Sequence, residues 1–301
     1  MPKNRRTAGR KPGQSHRFGQ IVTRRQFVHD GRHRTYTLLH TDPVQQGAAL
    51  ILALHGSFEN AQSFHRFTRG AFDTLARDGR AVLAYPDAVR EWNGARTAAI
   101  LYPSAKSVDD VGFLGALIDE IAARQPIDPA RVYAIGYSLG GQMTIRLLHD
   151  APELLAGAAL IAVNQPAPGN LTVATTEPPR RPVPVLTIHG TADPLAPYTG
   201  GVISLRGLFP KGEHLSAADT AAYFARRNGI TTAPTDSRLH TTGKPVHRTD
   251  YAGGAPVAFY TVDGGGHHIP GASTGNRLTF GAPAPHFDAT AAISDFFGLT
   301  A

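Results

Sequence analysis

The 301-residue chain contains no cysteine. That absence excludes disulfide scaffolds, thiolate metal sites and cysteine nucleophiles, so covalent chemistry falls to a hydroxyl or a carboxylate. Long apolar runs are also missing. The longest, such as "AALILAL" at Ala48 to Leu54, fall far short of the roughly 20 residues that a membrane span needs, and no membrane partner is expected. There is no HExxH, no GxxxxGK and no GxGxxG after a strand, so neither a metal nor an organic cofactor is expected.

Acidic residues are scarce in one place. The net charge is +7, and residues 1–17 carry Lys3, Arg5, Arg6, Arg10, Lys11 and Arg17 with no acid, which leaves the remainder nearly neutral. A basic Gly/Pro-containing stretch without apolar periodicity reads as a disordered tail over 1–18, ahead of one catalytic domain over 19–301. Charge confined to a tail makes nucleic acid an unlikely partner, and the oligomeric state is left open. Neither Arg5-Arg6 nor "TRRQFV" at Thr23 to Val28 is followed by the apolar stretch of an export signal, so a cytoplasmic location is expected unless an export segment lies outside this chain. The second pair instead falls in a hairpin, "QIVTRRQFVH" and "HRTYTLLH" around Asp30-Gly31.

What the chain does contain is alternation. Apolar runs predict strands over 49–56, 81–87, 131–138, 157–163, 184–190 and 257–264, and amphipathic runs predict helices over 61–77, 109–124, 140–149, 217–227 and 288–297. That order predicts an α/β fold, a mostly parallel central sheet with helices on both faces. Within the second helix Val111, Leu114, Leu117, Ile118 and Ile121 form the expected buried stripe, with Asp109 and Asp110 at its N-terminus. The stretches 164–181, 231–246 and 271–285 read as long connections above the sheet.

"VYAIGYSLGGQM", Val132 to Met143, places a G-x-S-x-G between a predicted strand and a predicted helix. That is the setting of a nucleophile elbow, in which Ser138 sits in a strained turn and the Leu139 N–H points at an oxyanion. A serine hydroxyl needs a base, and the base needs an orienting acid. Asp193 follows the strand "PVLTIHG", with Asp263 as a rival acid, and "GGGHHIPG" supplies His267, with His268 beside it and His286 as an outside rival. The order Ser, Asp, His is that of an α/β-hydrolase. A second oxyanion donor is expected after "LALHG", from the N–H of Ser57 or its neighbour Phe58, with His55 structural.

Several stretches then resemble a known family in order. "LHGSFENAQSF", "YPDA" followed by "EWN", "SVDDVGFL", "IGYSLGGQM", "IHGTADPLAPYTGG" and "DGGGHHIPG" resemble the polyhydroxybutyrate depolymerase and feruloyl-esterase-like branch of the α/β-hydrolases, from about Phe27 to the C-terminus. The resemblance implies a serine esterase acting on a small or oligomeric ester, with a triad of Ser138, Asp193 and His267 and oxyanion donors at Leu139 and Ser57. It also places Trp92 and Asn93 near the substrate pocket. Acyl transfer by the same triad, and a non-catalytic ester-binding relative, are the alternatives.

Overall fold

The structure is a computed structural model describing residues 14–17, 20–97, 102–173, 181–203, 212–273 and 275–299. Strand β1 (Gln14–Arg17) pairs antiparallel with β2 (Gln20–His29), so the tail expected to be disordered over 1–18 contributes backbone to the sheet at its last residues. Backbone pairing needs no apolar periodicity, which is why composition gave no sign of it; residues 1–13 lie outside the described residues. Asp30 and Gly31, at φ of 48° and 66°, close the expected two-residue hairpin between β2 and β3 (Arg32–His40).

The remaining strands are β4 (Ala48–Leu54), β5 (Ala81–Pro86), β6 (Ile127–Tyr137), β7 (Gly157–Ile161), β8 (Val185–Gly190), the short pair β9 (Gly201–Val202) and β10 (Glu213–His214), then β11 (Thr235–Leu239), β12 (Val246–Tyr251) and β13 (Val257–Val262). The main sheet runs β1-β2-β3-β5-β4-β6-β7-β8-β13-β12-β11. The six central strands from β5 to β13 are mutually parallel, and antiparallel strands flank them at both edges. Strand β11 lies within 231–246, the region expected to be a connection, and β12 begins at its last residue. Thr235–Leu239 is largely exposed at the sheet edge, so its strand has no apolar face to announce it.

Strand β4 shows why the central strands are so uniformly apolar. Leu50, Leu52 and Leu54 enter one core with Phe113, Leu117, Ile145 and Phe224, from α2 (Asp110–Ala122), α3 (Leu139–Asp150) and α4 (Ala217–Arg227). Ala49, Ile51 and Ala53 enter the other with Phe64, Phe72 and Ile293, from α1 (Ala61–Phe67), the 3-10 turn Ala71–Ala76 and α6 (Ala289–Phe296). Both faces are thus buried. The short α5 (Arg277–Phe280) lies in the loop after β13.

Two helices depart from expectation. The helix expected over 61–77 ends at Phe67, because Arg69 and Gly70 take φ of 53° and 68° before the 3-10 turn. In α2 the buried face is Asp110, Phe113, Leu114, Leu117, Ile118 and Ile121, with Val111 half-buried. Asp109 caps the helix by accepting from the Gly112 N–H, while Asp110 turns inward to pair with Arg34 at 2.7 Å. Among the described residues no helix is long and apolar enough to cross a membrane.

Candidate active site

Ser138 follows β6 directly and forms the N-cap of α3, at φ 53° and ψ −114°. That is a conformation an L-residue holds only when its surroundings enforce it. Gly136 and Gly140 are part of the enforcement. A Cβ at Gly136 would strike the Thr144 hydroxyl and the Gly140 carbonyl, and one at Gly140 would strike the Leu54 carbonyl, so neither could carry a side chain in so tight a turn. The Ser138 N–H is fixed to the Ile161 carbonyl at 3.0 Å, tying the turn to neighbouring β7.

Two strands further on, β8 runs into the turn that carries Asp193, and adjacent β13 runs into the loop that carries His267. The three side chains meet. His267 Nδ1 lies 2.8 Å from Asp193 Oδ2, and its Nε2 lies 2.8 Å from Ser138 Oγ. An ionised carboxylate can only accept, so Nδ1 carries the proton and Nε2 is left to accept from the serine hydroxyl. Asp193 Oδ1 accepts from the Leu195 and Ala196 N–H groups, both at 2.8 Å. Burial alone would raise its pKa. The His267 charge and hydrogen bond, His189 and the Ala196 N–H together outweigh that and hold the carboxyl below its ordinary range.

The histidine is held from its backbone. Its N–H donates to the Phe280 carbonyl at 2.6 Å, and its carbonyl accepts from the Tyr137 hydroxyl at 2.8 Å. The rivals are engaged elsewhere. His268 contacts the Ser273 hydroxyl at 2.7 Å and the Gly281 carbonyl at 3.1 Å. Asp263 lies 3.6 Å from His247, and His286 packs against Gly243.

Leu139 is the first residue of α3, so its N–H has no intrahelical acceptor and is free to face an incoming oxygen. Ser57, Ser138, Leu139 and His267 line a common cavity of about 210 Å³. The turn that carries Ser57 is braced by Glu59, whose Oε2 accepts from the Gly56 N–H at 2.8 Å, and Phe58 takes a φ of 62° there. His55 donates from Nδ1 to the Gly56 carbonyl at 2.8 Å and accepts the Ala88 N–H at Nε2, a structural arrangement as expected.

Trp92 and Asn93 are placed differently from the expectation. Neither is among the described residues lining the cavity. Trp92, 2% exposed, packs on His55 and donates from Nε1 to its carbonyl at 3.1 Å. Asn93 holds the Lys106 and Val108 carbonyls at 3.0 Å each, and its N–H donates to Asp110. From inside the core, Trp92 thus supports the turn that leads to Ser57, and Asn93 the segment that leads into α2.

The cavity wall also holds residues the sequence did not single out. Leu195, Ile203 and Phe280, beside the oxyanion candidate Phe58, make it largely apolar, and Glu59 and Arg96 add ionisable groups. Burial pushes the Glu59 carboxyl up to about 7, against the opposing effects of the Gly56 N–H and the His267 charge. A glutamate two residues after Ser57 was the available signal for Glu59. Arg96 had none, because its backbone is placed by pairing with Leu171, far along the chain.

A parallel sheet with serine, acid and histidine on successive strand-end loops, the serine on a strained strand-to-helix turn, defines an α/β-hydrolase. The phospholipase/carboxylesterase family matches residues 105–208, the stretch that carries Ser138 and Asp193. Over 271 residues the chain is 33% identical to "Putative esterase NocK" of Nocardia uniformis subsp. tsuyamanensis, covering 83% of this chain and 74% of that protein. It is 28% identical to feruloyl esterase B of Piromyces equi over 74% of its own length and 40% of that protein's. Among solved structures, the acetyl xylan esterase from Aspergillus awamori matches with a TM-score of 0.63 over 92% of this chain and 100% of that one; at 14% identity this is a likeness of fold. The chain belongs to the α/β-hydrolase esterases of feruloyl esterase-like type and is an enzyme that hydrolyses carboxylic esters.

Proposed function

We propose that the chain cleaves carboxylic esters through an acyl-enzyme on Ser138. The observation that carries this is the His267 imidazole, bridging Asp193 Oδ2 and Ser138 Oγ at 2.8 Å on each side. His267 Nε2 takes the hydroxyl proton as Ser138 Oγ bonds to the ester carbonyl carbon. The oxyanion that forms is held by the N–H groups of Leu139 and Ser57. The C–O bond to the alcohol breaks, the alcohol leaves with the proton from His267, and Ser138 is left acylated. Water then attacks the acyl carbon, gives its proton to His267, and the acid departs as that proton returns to Ser138 Oγ. Asp193 keeps the imidazole in the tautomer that accepts at Nε2 and stabilises its charged form.

The proposed substrates are small or oligomeric esters, as the motif resemblance to polyhydroxybutyrate depolymerases and feruloyl esterases implies. The apolar wall of Phe58, Leu195, Ile203 and Phe280 supports a hydrophobic portion beside the ester. The purified chain is expected to hydrolyse p-nitrophenyl butyrate, and Ser138→Ala to lower kcat by at least about 10³-fold. Equal rates for the two proteins would overturn the assignment.

A further inference from the structure

Arg96 lines the same cavity as Ser138 and His267, yet it is 6% exposed. Its backbone is pinned. Arg96 bridges Leu171 in antiparallel fashion, with the Thr97 N–H on the Asn170 carbonyl at 2.8 Å and the Thr172 N–H on the Ala95 carbonyl at 2.7 Å. The guanidinium that this backbone presents is not satisfied: Nε and Nη2 are buried without a hydrogen-bond partner, and among the described residues no carboxylate lies within salt-bridge distance. A buried guanidinium ordinarily has a paired acid, because desolvating the charge without one is costly.

The surroundings add positive charge. Lys106 donates from Nζ to the Arg96 carbonyl, and Lys106 feels both Arg96 and Arg146 as repelling charges. His214 is also close enough to feel Arg96, and burial pushes it down to about 4, so it is neutral near pH 7. Among the described residues, Glu91 is the one acid whose charge acts on Arg96. Burial lowers the Arg96 guanidinium to about 10, which leaves it protonated at neutral pH. A charged guanidinium with unmade bonds is therefore set into the wall of a largely apolar cavity whose other ionisable groups are Glu59 and the catalytic His267, and a side-chain shift that uncovers those bonds would let an added anion be bound strongly.

The geometry points to Arg96 as the specificity-determining residue that receives a carboxylate carried by the ester, so that the preferred substrates are anionic esters. This rests on the proposed esterase reading and names its substrate class. The carboxylate can belong to the acyl part, as in a monoester of a dicarboxylic acid, or to the alcohol part, as in an acyl ester of a hydroxy acid. In either case Arg96 supplies planar, paired N–H donors that a carboxylate matches.

The test compares kcat/KM for matched anionic and neutral esters in the full chain. One arm uses p-nitrophenyl hydrogen glutarate against p-nitrophenyl pentanoate, and the other 3-butyryloxybutanoate against its methyl ester. We expect the wild type to favour the anionic member of at least one pair tenfold or more. In Arg96→Gln and Arg96→Met that ratio falls to about twofold or less; because it is taken within each protein, a general loss of activity cancels. Arg96→Lys, which keeps the charge but loses the fork, is expected to lie between. A wild-type ratio near one in both arms overturns the proposal, as does a preference that survives in Arg96→Gln. If the wild type cleaves none of these esters, the esterase reading of Ser138 fails separately. Calorimetric titration with glutarate then decides the matter for Arg96: the wild type binds and Arg96→Gln does not, and absent wild-type binding overturns the proposal even if the variants do not fold.

Discussion

The triad and Arg96 are built on opposite terms. In the triad the polar atoms are spent: both oxygens of Asp193 and both ring nitrogens of His267 have partners within 2.8 Å. Around Arg96 they are not: its Nε and Nη2 are buried with no partner, as is Nε2 of nearby His214. Burial makes an unpartnered group expensive, and a ligand that completes its bonds recovers that cost. A closed network fixes a reacting atom; an open one leaves bonds for the molecule that arrives.

Breaking the closed network is expected to have the largest effect. Asp193→Asn keeps the shape but can donate to His267, favouring the wrong tautomer. We expect kcat to fall by about 10⁴-fold with p-nitrophenyl butyrate, while the thermal midpoint changes little by comparison. A fall of less than tenfold would mean that the triad and Arg96 are not so different.

The histidines sharpen the contrast through stability. Burial pushes both His214 and His149 down to about 4. Between pH 6.5 and 4 the unfolded chain binds protons that the folded chain refuses, so stability is intact above about 6.5 and is lost as the pH falls toward 4. Each histidine contributes up to about 3 kcal/mol to that loss. Urea unfolding at pH 7 and pH 4.5 measures it, and His149→Gln is expected to flatten the dependence.

Glu59 works in the opposite direction. Its folded value of about 7 lies above the ordinary 4.5, so between these the folded chain holds a proton that the unfolded chain has released. Its contribution is therefore present below about 4.5 and is lost as the pH rises through 7. Glutamine can still accept from the Gly56 N–H without ever charging. Glu59→Gln is expected to gain about 1–2 kcal/mol relative to wild type on going from pH 5 to pH 8, a figure discounted for the partial exposure of Glu59. The kcat/KM profile should also change near pH 7, where Glu59 gains its charge in the cavity wall.

The same contrast decides what could be read in the sequence. Ser138, Asp193 and His267 were legible because each follows the end of an apolar strand within a few residues, and a strand end can be located by pattern alone. Thr235–Leu239 was not, since an exposed edge strand has no apolar face. The break at Gly70 lay inside an uninterrupted amphipathic run, which helical and 3-10 turns share. Trp92 and Asn93 matched motif positions near the pocket, but the pattern could not tell that they face inward, toward the His55 carbonyl and the loop at Lys106. Arg96 is one arginine in a basic chain until Leu171 folds beside it.

The central claim is that Ser138 carries the acyl group. Rapid acid quench of the wild type during p-nitrophenyl butyrate turnover, followed by intact-protein and peptide mass spectrometry, tests it directly. The account predicts one added butyryl group, on the peptide containing Ser138, and none in Ser138→Ala. A butyryl group on another residue, or the same adduct in the alanine variant, would contradict it.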